Sequence, residues 1–207
     1  MSRRTVIKRA FDLIISFLGL FILMPLFLII GVLIKTGDRG PVLFRQMRVG
    51  KGGLTFILYK FRSMKHLESP LDGKFEPGNT SRITRIGRFL RKTKLDELPQ
   101  LINVLIGDMS FVGPRPEVRK WVDAFPERWE RVLSIRPGIT DNASIIFRNE
   151  ERILSESPDP EGVYRTKILP RKLDLYEAYL AKRSFSGDLK IILKTIGSIL
   201  YNKQNIE

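Results

Sequence analysis

Two adjacent carboxylates, Asp96 and Glu97, stand in the stretch 92–117, KTKLDELPQLINVLIGDMSFVGPRPE, surrounded by arginines and lysines. Pro99 is tolerated in the first turn of a helix but not in its interior, so a helix is expected to begin near Leu98 and run through QLINVLIG. That places the acidic pair at a helix N-terminus, where two explanations compete. The carboxylates could cap the helix and complement its dipole. They could instead be chemical groups in a cationic setting, with Arg88 and Arg91 upstream and Arg115 downstream. Arg115 sits between Pro114 and Pro116, two residues of fixed φ, a rigid mount suited to gripping phosphate. The chain has no cysteine and a single histidine, His66. Thiolate chemistry, disulfides and a histidine-rich metal site are therefore excluded, and any catalysis falls to carboxylates, hydroxyls, Lys or Arg.

The 207 residues suffice for one ordinary domain with an accessory segment. The 36 Lys and Arg against 22 Asp and Glu give a net charge of +14, which points to an anionic partner: nucleic acid, a lipid surface or a phosphorylated substrate. No base-reading or RNA-binding signature accompanies the charge.

Residues 10–34, AFDLIISFLGLFILMPLFLIIGVLI, form an apolar run long enough to cross a bilayer, for which about 20 helical residues suffice. Arg3, Arg4, Lys8 and Arg9 precede it and Lys35, Arg39, Arg45, Arg48 and Lys51 follow it, so both flanks carry the cytoplasmic sign. A straight span puts one basic flank on the wrong side. A helix broken at Met24-Pro25 enters and leaves through one leaflet, and Pro25, which lacks a donor for Phe21, gives the bend a local cause. Both topologies fit the sequence. Asp12 would cap or pair with Arg9 at the interface.

The remaining elements are read from periodicity. VLFRQMRVGKGGLTFILYKFRSM alternates around a glycine-rich turn at 50–53 and is expected to be a β-hairpin, with Lys60 on its second strand. Residues 66–80 read as a polar loop. SRITRIGRFLRKTK repeats Arg82, Arg85, Arg88 and either Arg91 or Lys92 at three-residue spacing, a helix with a basic face that fits phosphate, anionic headgroups or solvent; Gly87 weakens it by about 1 kcal/mol relative to Ala. Trp121, Phe125, Trp129, Val132 and Leu133 follow at helical spacing interrupted near Pro126 and belong in a core. RPGIT is expected to be a Pro-Gly turn carrying Arg136. Leu173, Tyr176 and Leu180 mark one amphipathic helix, and Asp188 is expected to cap another, LKIILKTIGSIL, which suits a core or a membrane surface equally.

KRAFD with its proline-broken apolar run, YKFRSM, ITRIGRFLRKTKLDELPQLINVLIGDMSFVGPRPE, RPGIT and SFSGDLKIILKTI together resemble the bacterial sugar transferases of the small monotopic phosphoglycosyl transferase class. The resemblance runs from Lys8 to Ile196, and its central block is far longer than a short motif.

The resemblance implies an α+β, mainly helical fold. Residues 1–39 would form a re-entrant helix-break-helix. Residues 40–207 would form a cytoplasmic catalytic domain at the membrane interface, with a small β-hairpin and amphipathic interfacial helices around the active site. The implied reaction moves a phosphosugar from a nucleoside diphosphate sugar, usually a UDP-sugar, to polyprenol phosphate at the bacterial inner membrane, releasing the nucleoside monophosphate. It opens the building of a glycoconjugate. Asp96 would be the nucleophile and a Mg²⁺ ligand, and Glu97 a base or part of the metal and acceptor site. Arg91 and Arg115 would contact phosphate, with Arg88, Arg136 and Lys60 as further substrate-binding residues. Inner-membrane lipid is an implied partner and nucleic acid is not. A helix N-terminus would keep Asp96 ionised. Two departures are visible: Met24-Pro25 stands where Ser-Pro is common, and DNASIIF at 141–147 replaces a Gly-Trp-Ala-Gln-like run expected to touch nucleotide or sugar. The alternative is a non-catalytic, membrane-tethered basic module for anionic lipid or nucleic acid, which gives no reason for an acidic pair beside PRP.

Overall fold

A computed structural model of the chain describes residues 3–37, 39–66 and 82–200. Beyond His66, the polar loop expected at 66–80 lies outside the described residues.

The apolar run forms α1 (Arg3–Gly37), a 35-residue helix with Pro25 inside it. Two helices separated by a break were expected; the structure carries one, so any bend at Met24-Pro25 is taken up within helical turns. One stripe of α1, through Asp12, Ser16, Gly19, Leu23, Phe27, Ile30 and Ile34, is the better-buried face and recurs every three or four residues along the helix. Elsewhere it is bare, with Phe21 and Ile22 each 69% exposed. The stretch Thr5–Gly37 is long and apolar enough to cross a membrane.

β1 (Leu43–Val49) and β2 (Thr55–Phe61) form the expected antiparallel hairpin, in register from Leu43 opposite Phe61 to Val49 opposite Thr55. α2 (Arg85–Thr93) is capped by Thr84, whose side chain accepts from the Gly87 amide at 2.9 Å. Gly87 is there for packing: a Cβ would fall 1.9 Å from the Ser63 carbonyl oxygen. Arg85, Arg88 and Lys92 face outward while Leu90 is fully buried, giving the expected basic face. Leu90 packs with Phe61, Ile30 and Ile34, tying α2 and the hairpin to the C-terminal arm of α1.

A short 3₁₀ turn (Leu95–Glu97) leads into α3 (Gln100–Ile106), which stops at Gly107. β3 (Ser110–Val112) pairs in parallel with β4 (Gly138–Thr140), a small sheet that periodicity did not announce. RPGIT is thus the entry to a strand rather than a free turn. Gly138 lets the two segments touch, since a Cβ there would lie 2.1 Å from the Gly113 nitrogen.

Between and after these strands come α4 (Arg119–Val122), α5 (Pro126–Val132), α6 (Asn142–Ile146), α7 (Glu150–Ser155), α8 (Pro160–Val163), a π-helical turn (Tyr164–Ile168), α9 (Leu169–Lys182) and α10 (Phe185–Leu200). The interruption at Pro126 is where the sequence placed it. Trp121, Trp129, Val132, Leu154, Leu173 and Tyr176 form the main core. Asp188 does not cap the last helix. The helix begins at Phe185 and Ser184 accepts from the Gly187 amide at 3.0 Å. Asp188 turns inward instead, accepting from Tyr179 at 2.7 Å and pairing with Lys8 at 2.5 Å.

Candidate active site

Lys94, with φ of 60°, is the one non-glycine residue at positive φ among the described residues. This left-handed residue closes α2 and starts the 3₁₀ turn that carries Asp96 and Glu97. β2 runs behind the turn and supplies Lys60, while the PRP segment leaving β3 brings Arg115 from the other side. Glu97 joins both: Lys60 donates to its Oε1 at 2.9 Å, and Arg115 donates to Oε1 at 2.5 Å and Oε2 at 3.3 Å. Asp96 is 7% exposed, and its Oδ1 is buried without a hydrogen-bond partner. No side-chain hydrogen bond from the N-cap residue closes the 3₁₀ turn or α3, and both acids stand in the first turn of the 3₁₀ segment.

The two carboxylates are driven apart electrostatically. Burial raises the Asp96 carboxyl above its ordinary value, with adjacent Glu97 adding to the rise and Lys60 opposing it. That rise runs against the help a helix N-terminus would give the ionised form, because desolvation outweighs the nearby positive charges. Burial also works against ionised Glu97, but Arg115 and Lys60 prevail and hold it well below the ordinary value. Glu97 in turn raises the pKa of Arg115. Burial lowers that of Lys60, against the pull of Glu97.

Glu117, the residue after PRP, holds the segment in place and was not singled out from the sequence. Its Oε1 accepts from Arg48 and from the Val118 amide, each at 2.9 Å, and Oε2 accepts from the Tyr164 hydroxyl at 2.5 Å. Its backbone oxygen also takes the Val49 amide at 2.8 Å, docking the segment on the end of β1. Buried Lys172 lies over the Tyr164 ring at 5.0 Å and pairs with Glu150 at 2.5 Å. An acid immediately after PRP in a basic chain was the available signal. Its partners, 47 and 69 residues away, were not readable.

Segment 141–147 is a capped helical turn. Asp141 accepts from the amides of Ala143 and Ser144 at 2.6 and 2.9 Å, and its charge bears on Arg115. Arg91 bends toward α7 and pairs with Glu151 at 2.8 Å, yet is near enough to act on Asp96. Arg88 lies exposed on the outer face of α2. Arg136 is not brought to the pair: its Nε donates to the Gly107 carbonyl at 2.7 Å, at the far end of α3. Of the expected residues, then, Asp96, Glu97, Lys60 and Arg115 come together, Arg91 stands at the margin, and Arg88 and Arg136 lie elsewhere. Met24 and Pro25 are exposed on α1.

Among the described residues no group of three or more potential ligands could hold a metal unaided. Glu97 is occupied by two cations, whereas Asp96 Oδ1 is free. A Mg²⁺ ion commonly binds through one or two carboxylates, with water and substrate phosphate completing its shell. One free carboxylate oxygen fits such a donor-assembled site through Asp96 alone.

The family profile described as bacterial sugar transferase matches residues 3–202. The chain is 39% identical to the UDP-N-acetylgalactosamine-undecaprenyl-phosphate N-acetylgalactosaminephosphotransferase of Aeromonas hydrophila, over 94% of this chain and 44% of that protein. It is 36% identical to the UDP-glucose:undecaprenyl-phosphate glucose-1-phosphate transferase of Klebsiella pneumoniae, over 96% and 41%. It is 39% identical to the exopolysaccharide production protein PSS of Rhizobium leguminosarum bv. phaseoli, over 94% and 96%. The chain thus spans less than half the length of the first two and nearly all of the third.

Proposed function

The chain belongs to the bacterial sugar transferase family, and from that premise we propose that it transfers a sugar 1-phosphate from a UDP-sugar to polyprenyl phosphate through Asp96, opening the synthesis of a surface polysaccharide. The observation that carries this reading is the buried Asp96 with a free Oδ1, beside a Glu97 held between Lys60 and Arg115. The UDP-sugar phosphotransferase names of two relatives support the donor and the acceptor.

In the proposed reaction a carboxylate oxygen of Asp96 attacks the β-phosphorus, forming an O–P bond as the bridging oxygen leaves with UMP. An oxygen of polyprenyl phosphate then attacks the same phosphorus and releases the Asp96 carboxylate. Splitting the transfer lets a soluble donor and a lipid acceptor use one nucleophile in turn. Arg115 and Lys60, fixed by Glu97, supply positive charge where diphosphate charge develops, without having to reorganise. Glu97 acts as their anchor through the hydrogen bonds it accepts from both. Mg²⁺ held by Asp96 would supply further neutralisation of the diphosphate.

The finer topology is also a proposal. Arg9, near the start of α1, donates to the Val104 and Leu105 carbonyls at 2.6 and 2.9 Å, while Phe27, in its second half, packs on Phe61 with ring centroids 5.1 Å apart. Both arms lean on one body, which supports a re-entrant α1, bent near Met24-Pro25, with the catalytic part on the cytoplasmic face. Bare Leu193 and Ile196 on α10 suit the interface beside it.

The test is a panel of UDP-sugars supplied with Mg²⁺ and polyprenyl phosphate, read by UMP release. At least one donor is expected to release UMP well above an Asp96→Asn control. No release from any donor overturns the enzyme reading.

A further inference from the structure

A polar cavity of about 140 Å³ lies between the first turns of α1, the hairpin turn, the loop before β4 and the start of α10. It is separate from the catalytic pair. Arg9 and Arg136 line it and hold the carbonyls at the C-terminal end of α3, whereas Asp96 and Glu97 precede its N-terminal end. Seven helical residues lie between, about 10 Å at 1.5 Å each. Its size admits four or five waters at roughly 30 Å³ each, enough for a phosphate group and too little for a nucleotide sugar.

Charge defines the occupant. Lys8, Lys51 and Arg183 join the two arginines in the lining, against only Asp12 and Asp188. Lys8 already pairs with Asp188, and Asp12 accepts from the Phe111 amide. No ion pair or side-chain hydrogen bond engages Lys51 or Arg183 among the described residues. The lining therefore carries excess positive charge, with two of its cations free to turn toward an anion. Val6 and Ile7 precede Lys8 and are 53% and 48% exposed, and Leu189 after Asp188 is 37% exposed. A cationic, phosphate-sized cavity rimmed by bare apolar side chains matches an amphiphile with an anionic head.

We propose that this cavity binds the headgroup phosphate of an anionic membrane phospholipid. The proposal rests on the membrane-surface placement of α1 and α10 given above. Lys51 and Arg183 reach the phosphate from the cytoplasmic side, while the acyl chains follow the bare faces of α1 and α10.

Native mass spectrometry of the full chain in neutral detergent, titrated with phosphatidylglycerol, phosphatidylcholine or inorganic phosphate, reads the site. One phosphatidylglycerol is expected to bind at least ten-fold more tightly than phosphatidylcholine. The Lys51→Gln/Arg183→Gln double variant should lose about thirty-fold of that affinity, since each basic residue near an anionic surface contributes about 1 kcal/mol. The variant is scored only with an unchanged melting temperature; if it unfolds, the two single variants are each expected to lose about five-fold by the same measure. Equal binding of the two lipids, or undiminished binding by the charge-removed variants, overturns the proposal. Displacement by inorganic phosphate at equal concentration makes the occupant a free anion and overturns the lipid assignment. UMP release by the same wild-type preparation reads the catalytic proposal separately, so active protein that holds both lipids alike sinks the lipid site alone.

Discussion

Glu97→Gln tests the anchoring role of this carboxylate. Glu97 is the carboxylate that both Lys60 and Arg115 bond, and the three side chains are 13%, 19% and 30% exposed. Removing one partner of a buried ion pair costs about 3–5 kcal/mol, because the remaining charges are left uncompensated. The partial exposure of Arg115 lets water screen its share, so the lower end applies, near 3 kcal/mol. For a chain of this size each kcal/mol shifts the melting temperature by about 2–4 °C, giving a loss of roughly 6–12 °C. The assay is thermal unfolding of wild type and variant in the same detergent at pH 7. Glu97 also sets a sign with pH. Its folded value lies well below the ordinary 4.5, so its contribution is complete above 4.5 and is lost as pH falls through the folded value. The gap between wild type and variant should therefore close under acid. An unchanged melting temperature at pH 7 refutes the anchoring argument.

Four further outcomes follow from the same geometry. Because burial raises Asp96, the acid limb of donor-driven UMP release should lie above the ordinary 3.8, and Glu97→Gln should move it downward in whatever activity survives. Asp96→Asn should abolish transfer and raise the melting temperature at pH 7. The raised folded pKa makes the ionised form a stability cost that is absent below 3.8 and grows as pH rises through the folded value; a lower melting temperature contradicts this. Tyr164→Phe removes the 2.5 Å donor to Glu117 and should cost about 1.5–3 kcal/mol by denaturant unfolding, with weaker donor binding as the PRP segment loosens. Ser2→Cys and Gly37→Cys, in a chain without native cysteine, should both react with a charged thiol reagent added to the cytoplasmic face; labelling from opposite faces means a true span.

What could be read from the sequence follows the range of the interactions. The hairpin showed in two-residue alternation, and the placement of Asp96 and Glu97 before a helix showed in Pro99, because both are local. The parallel pairing of β3 with β4 did not show: each strand has three residues, too few for a period, and the fit depends on Gly138 meeting Gly113. Basic residues at three-residue spacing gave α2 its face but not its partners, and Arg91 went to Glu151 while Arg136 went to the end of α3. Asp188 looked like a cap because it precedes an apolar run, and its pairing with Lys8 spans 180 residues. Family resemblance supplied roles for the acidic pair. The structure leaves Asp96 desolvated with an unpartnered Oδ1 and Glu97 fixed between cations.

The central claim is that Asp96 becomes covalently attached to the sugar phosphate, and intact-mass spectrometry tests it most directly. Protein incubated with a UDP-sugar that releases UMP, without polyprenyl phosphate, should gain the mass of one phosphosugar, located to the peptide containing Asp96 and absent from Asp96→Asn. Adding polyprenyl phosphate should discharge it. Wild-type protein that transfers sugar phosphate to lipid while never gaining that mass, or an adduct that persists in Asp96→Asn, would contradict the account.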